Sequence, residues 1–178
     1  FGSQTSPFLI KSEEDMAYLS TVVASGTTFR GFYFKVTDEK NSFNLTGFTP
    51  IGNGTSKFEG NFNGNGANFN LKITTTGNDY AGLFGYVNAG TIENLSVSGN
   101  VTGRDQVGGV AGYFANATMQ NVYNRANVSA NGNYVGGIIG YKASGSLMNA
   151  FNAGNITAYV NYAGGIAGYN AGDIKYTI

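Results

Sequence analysis

The chain has no cysteine, no histidine and no tryptophan, only 2 prolines in 178 residues, and few charges, 10 basic against 10 acidic. Each shortage excludes something. Without Cys there are no disulfides, so the redox compartment is not legible from bridges. Without His the commonest general base and the commonest transition-metal ligand are missing. Zinc sites built on His or Cys and nucleophilic triads that need an imidazole are therefore ruled out, and no cofactor is expected. The balanced, sparse charge offers no net field to nucleic acid or to an anionic membrane. No apolar run approaches the ~18–20 residues that span a bilayer. The G-x-x-x-G inside VGGVAGYF is too short to be a membrane-helix contact. The first residue is Phe1, not Met, which points to a removed leader or a segment of something longer.

What is abundant is equally informative. There are 28 glycines and 23 asparagines, far above average usage, and that composition calls for many tight turns rather than long helices. The length suits one domain, or a piece of one, large enough to bury a sizeable core.

The glycines are organised. GGVAGY at 108–113 returns as GGIIGY at 136–141 and GGIAGY at 164–169, after a looser AGLFGY at 81–86. The closing tyrosines, Tyr86, Tyr113, Tyr141 and Tyr169, are 27, 28 and 28 residues apart. Between the copies the register holds. Ile92, Met119, Leu147 and Ile174 align, as do Asn94, Asn121 and Asn149. Asn100, Asn127 and Asn155 form another column, followed by Val101, Val128 and Ile156. The apolar runs are short and rich in Val, Ile, Phe and Tyr, which is strand chemistry. No apolar stripe of helical length disputes it, and a propeller blade needs ~40–50 residues. A period of 27–28 residues fits one coil of a parallel β-helix, with each coil stacked on the last about 4.8 Å along the axis. Like residues then pile into ladders: aliphatic ones inside, Asn ones bonding amide to amide, with glycines supplying positive φ at corners and close backbone approach. The six-residue motif reads as one strand with the corner that leads into it.

These copies resemble the GLUG-motif repeats of large bacterial surface and secreted proteins, which include non-catalytic stretches of immunoglobulin A peptidases and proteins classed as adhesins. PFLIKSEEDMAYLS at 7–20, YFKVTDEKNSFNLTGFTPIGN at 33–53 and FEGNFNGNGANF at 58–69 resemble the segments that precede such repeats. The resemblance covers most of the chain and departs at Asn63 and Ala67, where Asp and His are usual. It implies an all-β fold, a right-handed parallel β-helix, and an extracellular or cell-surface setting.

The expected organisation is an N-terminal cap over 1–30, irregular first coils over 31–78, and repeat coils over 79–178 without a C-terminal cap. Within the cap, Ser12 can N-cap a helix over about 13–24, with Glu13 and Glu14 at the positive end of its dipole and Met16, Leu19, Val22 and Val23 at helical spacing. Gly26 ends it.

Catalysis finds little support. Glycoside hydrolysis generally uses two carboxylates, and the repeats offer Asp79, Glu93, Asp105 and Asp173. The equivalents of Glu93 are Gln120, Met148 and Lys175, so no acidic column forms. GNGTSK at 52–57 lacks phosphate-loop spacing and reads as a turn. The calcium nonapeptide repeat needs an Asp that GGVAGY does not have.

Two features carry recognition chemistry. Strict alternation through AGLFGY puts Leu83 on one face and Phe84 with Tyr86 on the other. If the Leu83 column is inside, Tyr86, Tyr113, Tyr141 and Tyr169 form an outward aromatic strip able to hold sugars or a protein; if it is outside, they are core. The second feature is N-x-[ST], which occurs at Asn44, Asn53, Asn94, Asn100, Asn116, Asn127 and Asn155, as glycosylation acceptors or as a plain polar face. The expected function is a non-catalytic extracellular module, an adhesin or stalk that presents a rigid β-helix to a glycan or an extracellular protein. The alternative is a filament subunit that self-associates head to tail through its uncapped last coil. A carbohydrate-active enzyme is the third reading.

Overall fold

The computed structural model describes residues 1–178. The chain winds as a β-solenoid of about six turns with parallel strands and one short helix near its N-terminus. The principal sheet runs through seven successive rungs, Phe8–Ile10, Tyr33–Val36, Asn61–Thr75, Thr91–Gly103, Thr118–Asn124, Ser146–Asn152 and Asp173–Thr177. At the interstrand spacing these rungs make a rod about 30 Å long. Asn127–Ala130 and Ile156–Ala158 continue the same sheet. Two narrower sheets close each coil. One stacks Val107–Gly108, Val135–Gly136 and Ala163–Gly164; the other stacks Phe84–Val87, Ala111–Phe114, Ile139–Lys142 and Ala167–Asn170.

The register is the one the repeat predicts. Ile92 pairs with Met119, Met119 with Leu147 and Leu147 with Ile174. Val128 lies between Val101 and Ile156, and Asn127 beside Asn100. The ladders run on into the irregular first coils, where Phe34 pairs with Phe62 and Phe62 with Ile92. Aromatic rings fill this wider end, with Phe43 stacked on Phe69 at 4.6 Å and Phe58 and Phe62 both against Phe84. Smaller Val, Ile and Ala side chains line the repeat coils, and one continuous apolar core results.

The helix forms where the caps place it, Glu13–Ala24, with Ser12 Oγ accepting from Asp15 N. Met16, Leu19 and Val23 enter the common core, while Val22 stays half-buried. Ser20 Oγ donates to Thr49 O, and Glu13 accepts from Asn44 N and pairs with Lys40 at 2.7 Å. These bonds tie the first turn and the body of the helix to the segment 40–49 of the first coils.

The motif glycines do one of the two expected jobs, close backbone approach, while positive φ falls on others such as Gly90 and Gly145. None of Gly108, Gly109, Gly112, Gly136, Gly137 and Gly140 has a positive φ. What requires them is contact. A Cβ on Gly108 would lie 2.1 Å from Ala111 O, and one on Gly112 2.5 Å from Gln106 O. On Gly137 it would lie 2.2 Å from Gly165 O in the next coil. The strand entering the corner and the strand leaving it therefore touch backbone to backbone, and the motif spans the end of one strand, a corner and the next strand. Much of the left-handed backbone falls instead on other residues, once per coil: Asn94, Asn121 and Asn149 at φ 53–58°, and Tyr80, Gln106, Tyr134 and Tyr162 at φ 58–64°. Asparagine tolerates this region better than any other non-glycine residue, and here it bends the long sheet without a loop. Asn149 Nδ2 donates to Asn121 Oδ1 and Asn121 Nδ2 to Asn94 Oδ1, at 3.1 and 3.0 Å, so the bend is also a hydrogen-bonded ladder.

Two interior columns change character along the rod. Phe43, Phe69 and Val97 give way to Asn124 and Asn152. Val87 and Phe114 give way to Lys142 and Asn170. Asn124 and Lys142 are both 0% exposed. Neither is idle: the Asn124 amide accepts from Ala126 N, donates to Ala126 O and bonds Asn152, while Lys142 Nζ donates to Gly145 O at 2.6 Å. Burial holds the Lys142 amine below the ordinary lysine range. Each polar side chain satisfies a corner carbonyl that an apolar residue would leave bare.

Gly140→Ala is expected to lower stability by about 1–3 kcal/mol in urea unfolding, because the new methyl meets backbone that cannot move aside. Gly77→Ala, with open space around it, is expected to be neutral or slightly stabilising. Asn121→Ala is expected to cost about 1–2 kcal/mol, from a left-handed alanine and lost ladder bonds.

Candidate functional site

Alternation does not run through the motif. Leu83 and Phe84 are both buried, as are Val110 with Ala111 and Ile138 with Ile139. The corner takes in the first residue of each pair and the next strand opens on the second, so two consecutive side chains turn inward. Parity then resets at the following glycine, which has no side chain to place, and the tyrosine emerges outward. The reading that put Phe84 and Tyr86 on one face is corrected accordingly: Phe84 is core and Tyr86 is at the surface, half-buried.

The four tyrosines form one ladder. Tyr86 stacks on Tyr113 at 4.3 Å, Tyr113 on Tyr141 at 5.3 Å, and Tyr141 on Tyr169 at 4.3 Å, with ring planes 6–26° apart. In-register pairing on parallel strands puts each ring over the next. Tyr86, Tyr113 and Tyr141 are half-buried, and Tyr169, in the last coil, is 40% exposed. The rings cover one another's faces, so the strip presents ring edges and phenolic hydroxyls outward rather than flat aromatic platforms.

A second column escaped the sequence reading. Tyr80, Tyr134 and Tyr162, with Gln106 in the remaining coil, stand beside the first. Tyr80 meets Tyr86 and Tyr113 edge-on, and Tyr134 meets Tyr141 and Tyr169 the same way. Tyr134 and Tyr162 stack at 4.8 Å. The signal was present as Tyr80-Ala81-Gly82, Tyr134-Val135-Gly136 and Tyr162-Ala163-Gly164, one or two residues ahead of the six-residue motif. At the N-terminal end Lys57 Nζ lies 5.1 Å from the centre of the Tyr86 ring, a cation–π contact. Next to it an open, mostly polar cleft is lined by Asn53, Ser56, Asn78, Asp79, Tyr80 and Arg104.

Packing raises the phenols. Burial, and then Tyr113 beside it, pushes Tyr86 up to about 12. Burial first, then Asp79, raises Tyr80; burial first, then Tyr169, raises Tyr141.

The carboxylates are engaged otherwise. Asp79 and Asp105 lie on adjacent coils, with Asp105 N donating to Asp79 Oδ1. Arg104 clamps Asp79 at 2.8 and 3.1 Å and holds its carboxyl below the usual range. Asp105 accepts from Asn133 N, and Glu93 accepts from Gln120 Nε2 at 2.7 Å. Of the N-x-[ST] asparagines, Asn44, Asn53, Asn100, Asn116, Asn127 and Asn155 are exposed. Asn94 is half-buried and donates to Asn63 Oδ1. Between Asn100 and Thr102, and between Asn127 and Ser129, the intervening Val101 and Val128 are core, and the two hydroxyls bond one another at 2.9 Å.

The solved structure of a "putative immunoglobulin A1 protease" from Bacteroides ovatus superposes with a TM-score of 0.70 over 97% of this chain and 65% of that one, at 21% identity. That likeness is one of fold. Halomucin of Haloquadratum walsbyi is 34% identical over 140 residues, 74% of this chain but 2% of halomucin. A "Putative Gly-rich membrane protein" of Evansella cellulosilytica is 32% identical over 109 residues, 56% of this chain and 12% of that protein. The chain thus spans a small part of both curated relatives. No family model matches it, and none of its helices is long and apolar enough to cross a membrane.

Because the folded state holds the Tyr86 proton more tightly than the unfolded chain, its linkage contribution is intact below pH ~10 and is lost as pH rises towards about 12. Urea midpoints are expected to fall over that window, and Tyr86→Phe is expected to flatten the fall.

Proposed function

We propose that this chain is a non-catalytic, rigid segment of an extracellular surface protein, of the GLUG-repeat kind, that displays an adhesive face to a glycan or a protein. The parallel register that runs from Phe8 to Thr177, shifted once between Asn63 and Ala67, carries the reading. A rod in which each coil buries its apolar edge on the next is stiff and extensible by repetition, which is what a stalk requires. Two curated relatives, one named halomucin and one a Gly-rich membrane protein, each contain the matched stretch as a minor share of a longer chain, and that supports a spacer within a surface assembly.

The non-catalytic part rests on the carboxylates. A glycosidase acid needs a raised pKa, and Asp79, clamped by Arg104, has the opposite. The adhesive part rests on the tyrosine columns and the cleft beside them. Four phenolic hydroxyls at rung spacing, with Lys57 and the Asp79–Arg104 pair at one end, make a polar, aromatic-edged strip that complements a hydroxyl-rich chain laid along the rod.

Retention on mucin-coated and glycan-array surfaces is expected to be lost in the double variant Tyr113→Phe, Tyr141→Phe, with unchanged circular dichroism. Equal retention by that variant removes the tyrosine strip from the reading. Release of reducing ends from any polysaccharide on the array removes the non-catalytic assignment.

A further inference from the structure

We propose that the tyrosine ladder is an oxidative cross-linking site, at which a peroxide-driven one-electron oxidant joins Tyr86 to Tyr113 and Tyr141 to Tyr169 as dityrosine and so staples successive coils covalently. Nothing in this depends on whether the strip binds a partner.

Geometry selects the pairs. Coupling requires two phenols held together, with the carbons ortho to oxygen within reach of each other and the rings able to turn. Tyr86–Tyr113 and Tyr141–Tyr169 are the closest pairs of the column at 4.3 Å, whereas Tyr113–Tyr141 is at 5.3 Å. In-register pairing fixes the backbones under both close pairs on adjacent strands and gives the rings the same direction. The ladder sits at the surface, with Tyr86, Tyr113 and Tyr141 half-buried, so small oxidants reach the ring edges and the rings can swing outward from their stack. The chain has no Cys and no Trp, the side chains that would compete most strongly for the oxidising equivalent. Covalent stapling also supplies what a chain without disulfides lacks.

The chemistry balances. Each phenol gives up one electron and one proton and becomes a neutral tyrosyl radical. The two radicals join through their ortho carbons, and the hydrogen on each of those carbons moves to oxygen as the rings regain aromaticity. Two electrons and two protons leave the protein, and one hydrogen peroxide is reduced to two waters by way of a haem peroxidase.

The test treats the full chain, dilute, with horseradish peroxidase and hydrogen peroxide, and then digests it with trypsin. Cleavage after Lys72, Arg104, Arg125, Lys142 and Lys175 leaves each ladder tyrosine on its own peptide. Expected are a monomer lighter by two hydrogens per link, dityrosine fluorescence, and joined peptides 73–104 with 105–125 and 126–142 with 143–175. Tyr86→Phe is expected to abolish the first joined pair and Tyr141→Phe the second, since phenylalanine keeps the stack but cannot couple. Tyr162→Phe is expected to leave the second pair in place, which separates the Tyr141–Tyr169 link from a Tyr134–Tyr162 one. Links formed only between molecules, joined peptides that persist in Tyr86→Phe and Tyr141→Phe, or the same links at equal yield from urea-unfolded chain each overturn the proposal.

Discussion

Every feature of this molecule descends from one constraint: successive coils must stack in register at the spacing of parallel strands. A coil alone cannot bury its apolar interior. Stacked, each residue lies over its equivalent, and a column has to be acceptable to itself. Aliphatic columns pack, amide columns bond along their length, and aromatic columns stack, whereas a column of like charges would repel itself. The scarcity of charge and the surplus of asparagine follow from the same requirement.

The cross-section must also close. Three sheets of unequal width enclose the core, and two of them meet through bare backbone at the glycine motif. That contact leaves no volume for a side chain, which is why the motif returns once per coil with so little variation. At the opposite bend there is room, and asparagine replaces glycine, taking the left-handed conformation while donating to the coil before it. The buried Asn124 and Lys142 show the corner carbonyls setting the chemistry even of interior positions.

On the surface the same stacking turns single tyrosines into a column whose faces are mutually covered and whose hydroxyls line up along the rod. Burial raises the phenols at Tyr80, Tyr86 and Tyr141, and the neighbouring carboxylate of Asp79 is neutralised by Arg104. The result is an ordered aromatic face on a stack of coils, with Lys57 and the Asp79–Arg104 pair at one end.

The period, the ladders and the helix Glu13–Ala24 were legible in the amino-acid order, because each is a local or strictly repeating pattern: Ser12 caps within its own turn, and Val101, Val128 and Ile156 recur at the coil length. The face of the tyrosines was not legible. It depends on where the corner falls, and the corner lies between two apolar residues, Val110 and Ala111, that give alternation nothing to distinguish. Nor was the column of Tyr80, Gln106, Tyr134 and Tyr162, whose role rests on a second segment of chain folding back beside the first. The close contacts that demand Gly108, Gly112 and Gly137 run across the corner or to the next coil, and only the folded corner and the stacked coils bring those backbones together.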